Sequence, residues 1–210
     1  MIGPDAVLRA ARWGLVPAWA RDAEQAAAIR AKALNARCET LWEKPVFREA
    51  ARTGRCLVVS TGFFEWHETG GRRYPFFIRL RGGDPFVLAG LEAVWRNPLT
   101  GREEPTFSII TCPACPLLAR IHNTRLRMPV ILPEASQTAW LDPGLDPDQA
   151  GRLCVPFDDA CLEAWPVGPL VGKRGAETNV PEVSRPHDWG VPLPGPATAG
   201  PEQLDLFATP

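Results

Sequence analysis

The stretch RCLVVSTGFFEWHETGGRRYPFFIRLRGGDPFVLAGL, Arg55 to Leu91, decides the fold. Short runs rich in branched and aromatic side chains, parted by Gly and Pro, predict strands over Arg55–Ser60, Phe63–His67, Tyr74–Leu80 and Phe86–Leu91. Further along the chain, Thr106–Thr111 and Met128–Leu132 continue the pattern. On the other side, Ala23–Leu34 is rich in alanine and follows Asp22, which predicts a capped helix. Pro133–Leu141 and Pro147–Cys154 read as short helices with proline near the start, where its missing donor costs little. There is no internal repeat. Strands at short spacing with few crossover helices predict a β-rich α+β fold, a curved mixed or antiparallel sheet closing toward a barrel with helices outside.

Composition sets limits on function. The chain has 210 residues, 45% of them hydrophobic and 22% charged, enough for one enzyme-sized core. Its formal net charge of −1 argues against coating nucleic acid by bulk electrostatics, so any such contact needs a local basic surface. Arg37, Arg52, Arg55, Arg72, Arg73, Arg125, Arg127, Lys173 and Arg174 are the candidates, although arginines outside a motif are usually solvated or ion-paired. No apolar run approaches the ~20 residues of a membrane span, and the first residues lack the order of a secretion signal. A cytoplasmic protein with reduced cysteines is expected. Cys112 and Cys115 form a CxxC pair without a second one, so small buried side chains are expected there rather than a metal or redox centre.

Three segments carry chemistry. In IHNTRLRMPVIL, Ile121 to Leu132, a titratable imidazole stands among cations before an apolar run. In GFFEW, Gly62 to Trp66, strand alternation puts Phe64 and Trp66 on one side and Phe63, Glu65 and His67 on the other. Glu65 is thereby mounted between aromatics, where burial can raise its pKa toward that of histidine. In NARCET, Asn35 to Thr40, an amide precedes an arginine suited to anionic oxygens. Each part has an ordinary reading too. Glu65 could be an exposed strand carboxylate, His122 a surface or hydrogen-bonded core residue, and Asn35 a turn residue. Trp13 and Trp19 fit either the core or a platform for stacked bases.

RWGLVPAW, LNARCET, KPVFREA, RCLVVSTGFFEW, FVLAGLEAVW, TFSIIT and IHNTRLRMPVIL, in this order from about Arg12 to Glu182, resemble the SOS response-associated peptidase family, whose members act on abasic sites in single-stranded DNA. The resemblance implies the same β-rich α+β fold over residues 1–183. It implies an active site of Asn35, Glu65 and His122, DNA-phosphate contacts by Arg37 and Arg127, and a pocket position for Thr111; Trp13, read as a stacking platform, is expected as a further DNA contact. No cofactor and no metal are expected. The chain departs from the family at its start. Family members carry a cysteine directly after the initiator methionine, whose freed amine and thiol capture the sugar aldehyde as a thiazolidine. Here the chain opens Met1, Ile2, Gly3, Pro4, and no internal cysteine has a free α-amine. The expectations are therefore either imine and lyase chemistry through another amine, such as that of Met1, or a true start upstream. The alternatives are a non-catalytic adaptor for single-stranded DNA and a clamp, and a peptidase limited to removing the initiator methionine.

From Ser184 onward the sequence is dense in Pro and Gly, which predicts a disordered tail over 184–210. It ends in Gln203, Leu204, Asp205, Leu206, Phe207, which resembles the short motif that binds the bacterial sliding clamp. Gln203 would bond at a pocket rim, and Leu204, Leu206 and Phe207 would fill an apolar cleft. A protein of the cytoplasm associated with the nucleoid is expected from these features together.

Overall fold

The computed structural model describes residues 1–194 except 4, 6 and 174. The clamp-like motif at 203–207 and Arg174 lie outside the described residues. The fold is a mixed, sheet-dominated α+β arrangement with its strands in two sheets that do not close into a complete barrel.

The larger sheet is built on a long central strand, β7 (Glu103–Pro113). On one side β7 pairs antiparallel first with β6 (Phe86–Arg96) and then with β8 (Arg127–Pro129). On the other side it pairs parallel with β1 (Arg12–Trp13) and then β2 (Asn35–Arg37). β3 (Arg55–Ser60) adds to the far side of β6. The smaller sheet orders β4 (Phe63–Thr69), β5 (Arg72–Leu80) and β9 (Leu162–Pro166), all antiparallel. Between the sheets lies one core that includes Phe76, Ile78, Leu88, Leu91, Ile110, Met128 and Trp140.

The predicted strands of 55–91 form where expected, and β4 and β5 turn on Gly70 and Gly71, both at positive φ. The close approach of β4 to β5 also needs Gly62, since a Cβ there would lie 2.2 Å from Phe77 Cζ. Asp22 caps α1 (Ala23–Arg30) by accepting from Gln25 N–H at 2.7 Å. The helix ends earlier than the predicted Leu34, because Ala33 turns into the core and Asn35 already belongs to β2. α2 (Arg48–Thr53) and α3 (Pro116–Ile121) are additional short helices. α4 (Glu134–Leu141) and α5 (Pro147–Leu153) match the two predicted ones, the latter with a capping box from Asp146 and Gln149.

Arg55, a candidate for a basic surface, is instead 3% exposed. Its guanidinium donates to the carbonyls of Ala51, Arg52, Trp140 and Asp142, tying α2 and α4 to β3. Five donors in a fixed fork suit this task of satisfying helix-end carbonyls, so the charge is spent inside the protein.

Packing continues past Ser184. Trp189 stands edge-on to Tyr74 at 5.3 Å and donates its Nε1–H to Val167 O at 3.0 Å. Cys112 and Cys115 are buried, and burial pushes the Cys112 thiol up to about 12. All six cysteines are free. No helix of the described residues is long and apolar enough to cross a membrane.

Candidate active site

β2, the end of β7, β8 and the loop after α3 enclose a cleft of about 470 Å³. Asn35, Arg37, Thr111, His122, Arg125 and Arg127 line it, with Lys32 and Leu34 at its edge. Pairing of β2 beside β7 sets Asn35 and Arg37 opposite Ile109 and Thr111, with Ala36 between them pointing into the core. That alternation is why both polar side chains of NAR emerge on one face.

His122 ends α3. Its Nδ1 lies 3.0 Å from Arg127 O and 3.3 Å from Glu65 Oε2. A carbonyl can only accept, so Nδ1 carries the proton and Nε2 of the neutral ring keeps its lone pair. Glu65 contacts His122 from behind and is not itself part of the cleft lining. Burial raises the Glu65 carboxyl to about 7, opposed by the charges of Arg125 and Arg73. Burial also lowers His122, partly countered by its bond to Arg127 O. A contact of 3.3 Å could be taken for a fixed ion pair, yet desolvation penalises both charges. Desolvation is the stronger effect here, raising the Glu65 carboxyl and lowering the His122 imidazole, so that a proton can pass between the two groups.

β4 is docked so that this contact exists. The Asn123 amide makes a reciprocal pair with the backbone of Glu68, accepting from its N–H at 3.0 Å and donating to its O at 2.8 Å. His67 Nδ1 lies 2.9 Å from Arg120 O. Glu65 and His67 thus meet the α3 side, whereas Phe64 packs on Phe77 and Trp66 lies under Arg73. Leu126, at φ 54°, is the non-glycine residue at positive φ among those described, and it folds the loop back so that its N–H reaches His122 O. Such strain concentrates where a loop is held for function.

The cations differ in availability. Arg127 donates bidentately to Glu39 at 2.8 and 2.9 Å and also to Thr111 Oγ1 and O. The guanidinium expected to meet a phosphate is thus engaged within the protein, where it braces Thr111 and the end of β2. Arg37 and Arg125 have no ion-pair partner among the described residues, and the Asn35 amide has no hydrogen-bond partner there. Trp13 is 47% exposed, lies flat over Phe107 and donates Nε1–H to Leu34 O, which places it at the cleft rim. Glu39 and Asn123 received no role from sequence. Their partners are 88 and 55 positions away, and no local pattern announces them. Among the described residues no group of three or more His, Cys, Asp or Glu is placed to hold a metal ion.

Known proteins resemble this chain over most of its length. The family model described as SOS response associated peptidase (SRAP) matches residues 3–174. The abasic site processing protein YoqW of Bacillus subtilis is 38% identical over 178 residues, covering 84% of this chain and 75% of that protein. The abasic site processing protein HMCES of Gallus gallus is 30% identical, covering 92% of this chain and 61% of that one. A crystal structure of a protein from Bacteroides thetaiotaomicron superposes with a TM-score of 0.78 at 38% identity, over 83% of this chain and 75% of its own. One from Bordetella bronchiseptica gives 0.67 at 28% identity, over 75% and 76%. With a match over most of its length, the chain belongs to the SOS response associated peptidase (SRAP) family.

Proposed function

We propose that the protein binds single-stranded DNA at abasic sites and reacts with the ring-opened sugar in the cleft of Asn35 and His122. The observation that carries this reading is the Glu65–His122 pair. Its imidazole keeps Nε2 as a proton acceptor beside unpaired guanidinium groups, which is the combination that an aldehyde flanked by phosphates requires. Relatives named abasic site processing proteins support it.

In this mechanism Arg37 and Arg125 hold phosphates on either side of the lesion. Asn35 offers its amide to the sugar oxygens and fixes the open-chain form. His122 Nε2 takes or returns the proton on the ring oxygen as the sugar opens. Glu65, near its own midpoint at neutral pH, relays protons through His122 and lets the imidazole change charge at low cost. Trp13 at the rim offers a face for a neighbouring base. In a duplex the C1′ side of the lesion faces inward between the flanking base pairs, which favours single strands as substrate.

The test is a binding comparison by fluorescence anisotropy with three labelled oligonucleotides: abasic single strand, intact single strand and abasic duplex. The expected order is tightest for the abasic single strand, with Asn35→Ala reducing its advantage over the intact strand. Equal affinity for abasic and intact single strands would remove the reading.

A further inference from the structure

The cleft holds one more reactive group. After α1 the chain returns to β2 through a tight turn in which Lys32 N–H donates to Ile29 O at 2.9 Å and Ala33 N–H to Arg30 O at 3.2 Å. Ala33 is 2% exposed and anchors the turn, while Lys32 remains exposed and borders the cleft with Asn35 and His122. Among the described residues lining the cleft, Lys32 is the one primary amine. The guanidinium groups there stay protonated and do not attack carbonyls. The Met1 amine is engaged elsewhere, since it donates to Arg9 O at 3.0 Å and Ile2 bridges to Leu57 on β3. From Ile2 the sheet runs through β3, β6 and β7 to β2, four strand spacings or roughly 19 Å along the sheet. Met1 is therefore set apart from β2, which carries Asn35 and Arg37, and does not line the cleft.

We propose that Lys32 is the amine that forms an imine with the abasic aldehyde, which makes it a catalytic residue; this rests on the reading of the cleft as an abasic-site pocket. Lys32 Nζ, after giving a proton to solvent, attacks C1′ of the open sugar, and the C=O electron pair moves to oxygen. Protonation of that oxygen and loss of water give the imine. His122 Nε2, backed by Glu65, then takes a proton from C2′. The C–H electrons become a C2′=C3′ double bond, and the 3′ phosphate leaves with the C3′–O pair. Water hydrolyses the imine, which restores the Lys32 amine and releases an unsaturated aldehyde on the cut strand. A lysine held in the same cleft as its base gains the effective concentration that an exposed lysine elsewhere lacks.

The test uses the full chain with a labelled abasic single strand and borohydride, which reduces an imine to a stable amine. Peptide mapping of the adduct is expected to place it on Lys32. Lys32→Arg keeps the charge and is expected to trap at least about tenfold less adduct than the wild type. Its affinity for the abasic strand in anisotropy should stay within about threefold. Lys44→Arg, beside the cleft, is expected to trap as the wild type does. An adduct on another amine, or undiminished trapping by Lys32→Arg, overturns the assignment while leaving the cleft as the abasic-site pocket. If the wild type binds abasic and intact strands alike, the reading of the cleft itself falls, and the role of Lys32 falls with it.

Discussion

Glu65 shows how a single residue can work against stability for the sake of chemistry. Its carboxyl titrates at about 7 in the fold because burial disfavours the anion, against a starting value of 4.5. The folded state therefore binds more protons than the unfolded one between those values, and stability falls as pH rises from about 4.5 to about 7. His122 has the opposite sign, since its lowered pKa makes the fold lose stability as pH drops below its ordinary 6.5. Glu65→Gln removes the first effect. It is expected to be more stable than the wild type at pH 8, by at most about 3 kcal/mol given partial exposure, with the difference shrinking toward pH 5. Thermal melts of both proteins across that range check it, and the same variant should lose reactivity. The identity of Glu65 and His122 as a pair was legible in their motifs, and the mounting of Glu65 in the strand alternation. The engagement of Arg127 with Glu39 was not, because an ion pair across 88 positions leaves no trace in either local segment.

Among the elements, the placement of β4 against the loop after α3 governs whether that pair exists. The Asn123 side chain makes two hydrogen bonds with the Glu68 backbone and is not itself part of the cleft lining. Asn123→Ala is expected to lower turnover about tenfold with DNA affinity nearly unchanged, and to cost about 1–2 kcal/mol of stability. A drop in affinity with turnover intact would assign Asn123 to binding instead. The strands between 55 and 91 were readable from their own branched and aromatic runs and the Gly breaks between them; β4 and β5 are also partners across the Gly70–Gly71 turn, whereas β3 pairs with β6 beyond both. β9 escaped notice for the opposite reason: five residues, Leu162–Pro166, become a strand only against β5, some eighty positions earlier. β2 was hidden behind the alanine-rich run of α1, where helix propensity extends past the turn that tertiary packing of Ala33 imposes.

For the whole molecule, a net charge of −1 means that the proposed affinity for DNA would have to come from a few cations gathered at one place. In that proposal Arg37 and Arg125, which line the cleft, are those cations, whereas Arg55 and Arg127 are spent on internal partners and Arg79 pairs with Glu163 on the smaller sheet. Binding to a single strand should weaken with salt at a slope of about −0.7 per phosphate neutralised. Arg37→Ala and Arg125→Ala are each expected to lessen the slope by about that amount, and Arg79→Ala to leave it unchanged. Affinity measured between 50 and 200 mM salt, roughly the span over which such slopes are read, distinguishes these outcomes. Fold class followed from the strand-rich pattern of the chain. That the sheet opens into two layers, with the cleft at the end of β7, followed only from non-local pairing.

The most direct test of the central claim follows the fate of an abasic single strand incubated with the wild type, Glu65→Gln and His122→Ala, resolved on a denaturing gel beside an intact strand. The wild type is expected to convert the abasic strand, by cutting or by covalent attachment, and to leave the intact strand untouched, with both variants slower by about a hundredfold or more. Conversion at the wild-type rate by both variants, or none by the wild type under conditions where it binds the strand, would contradict the claim that the Glu65–His122 pair performs the chemistry.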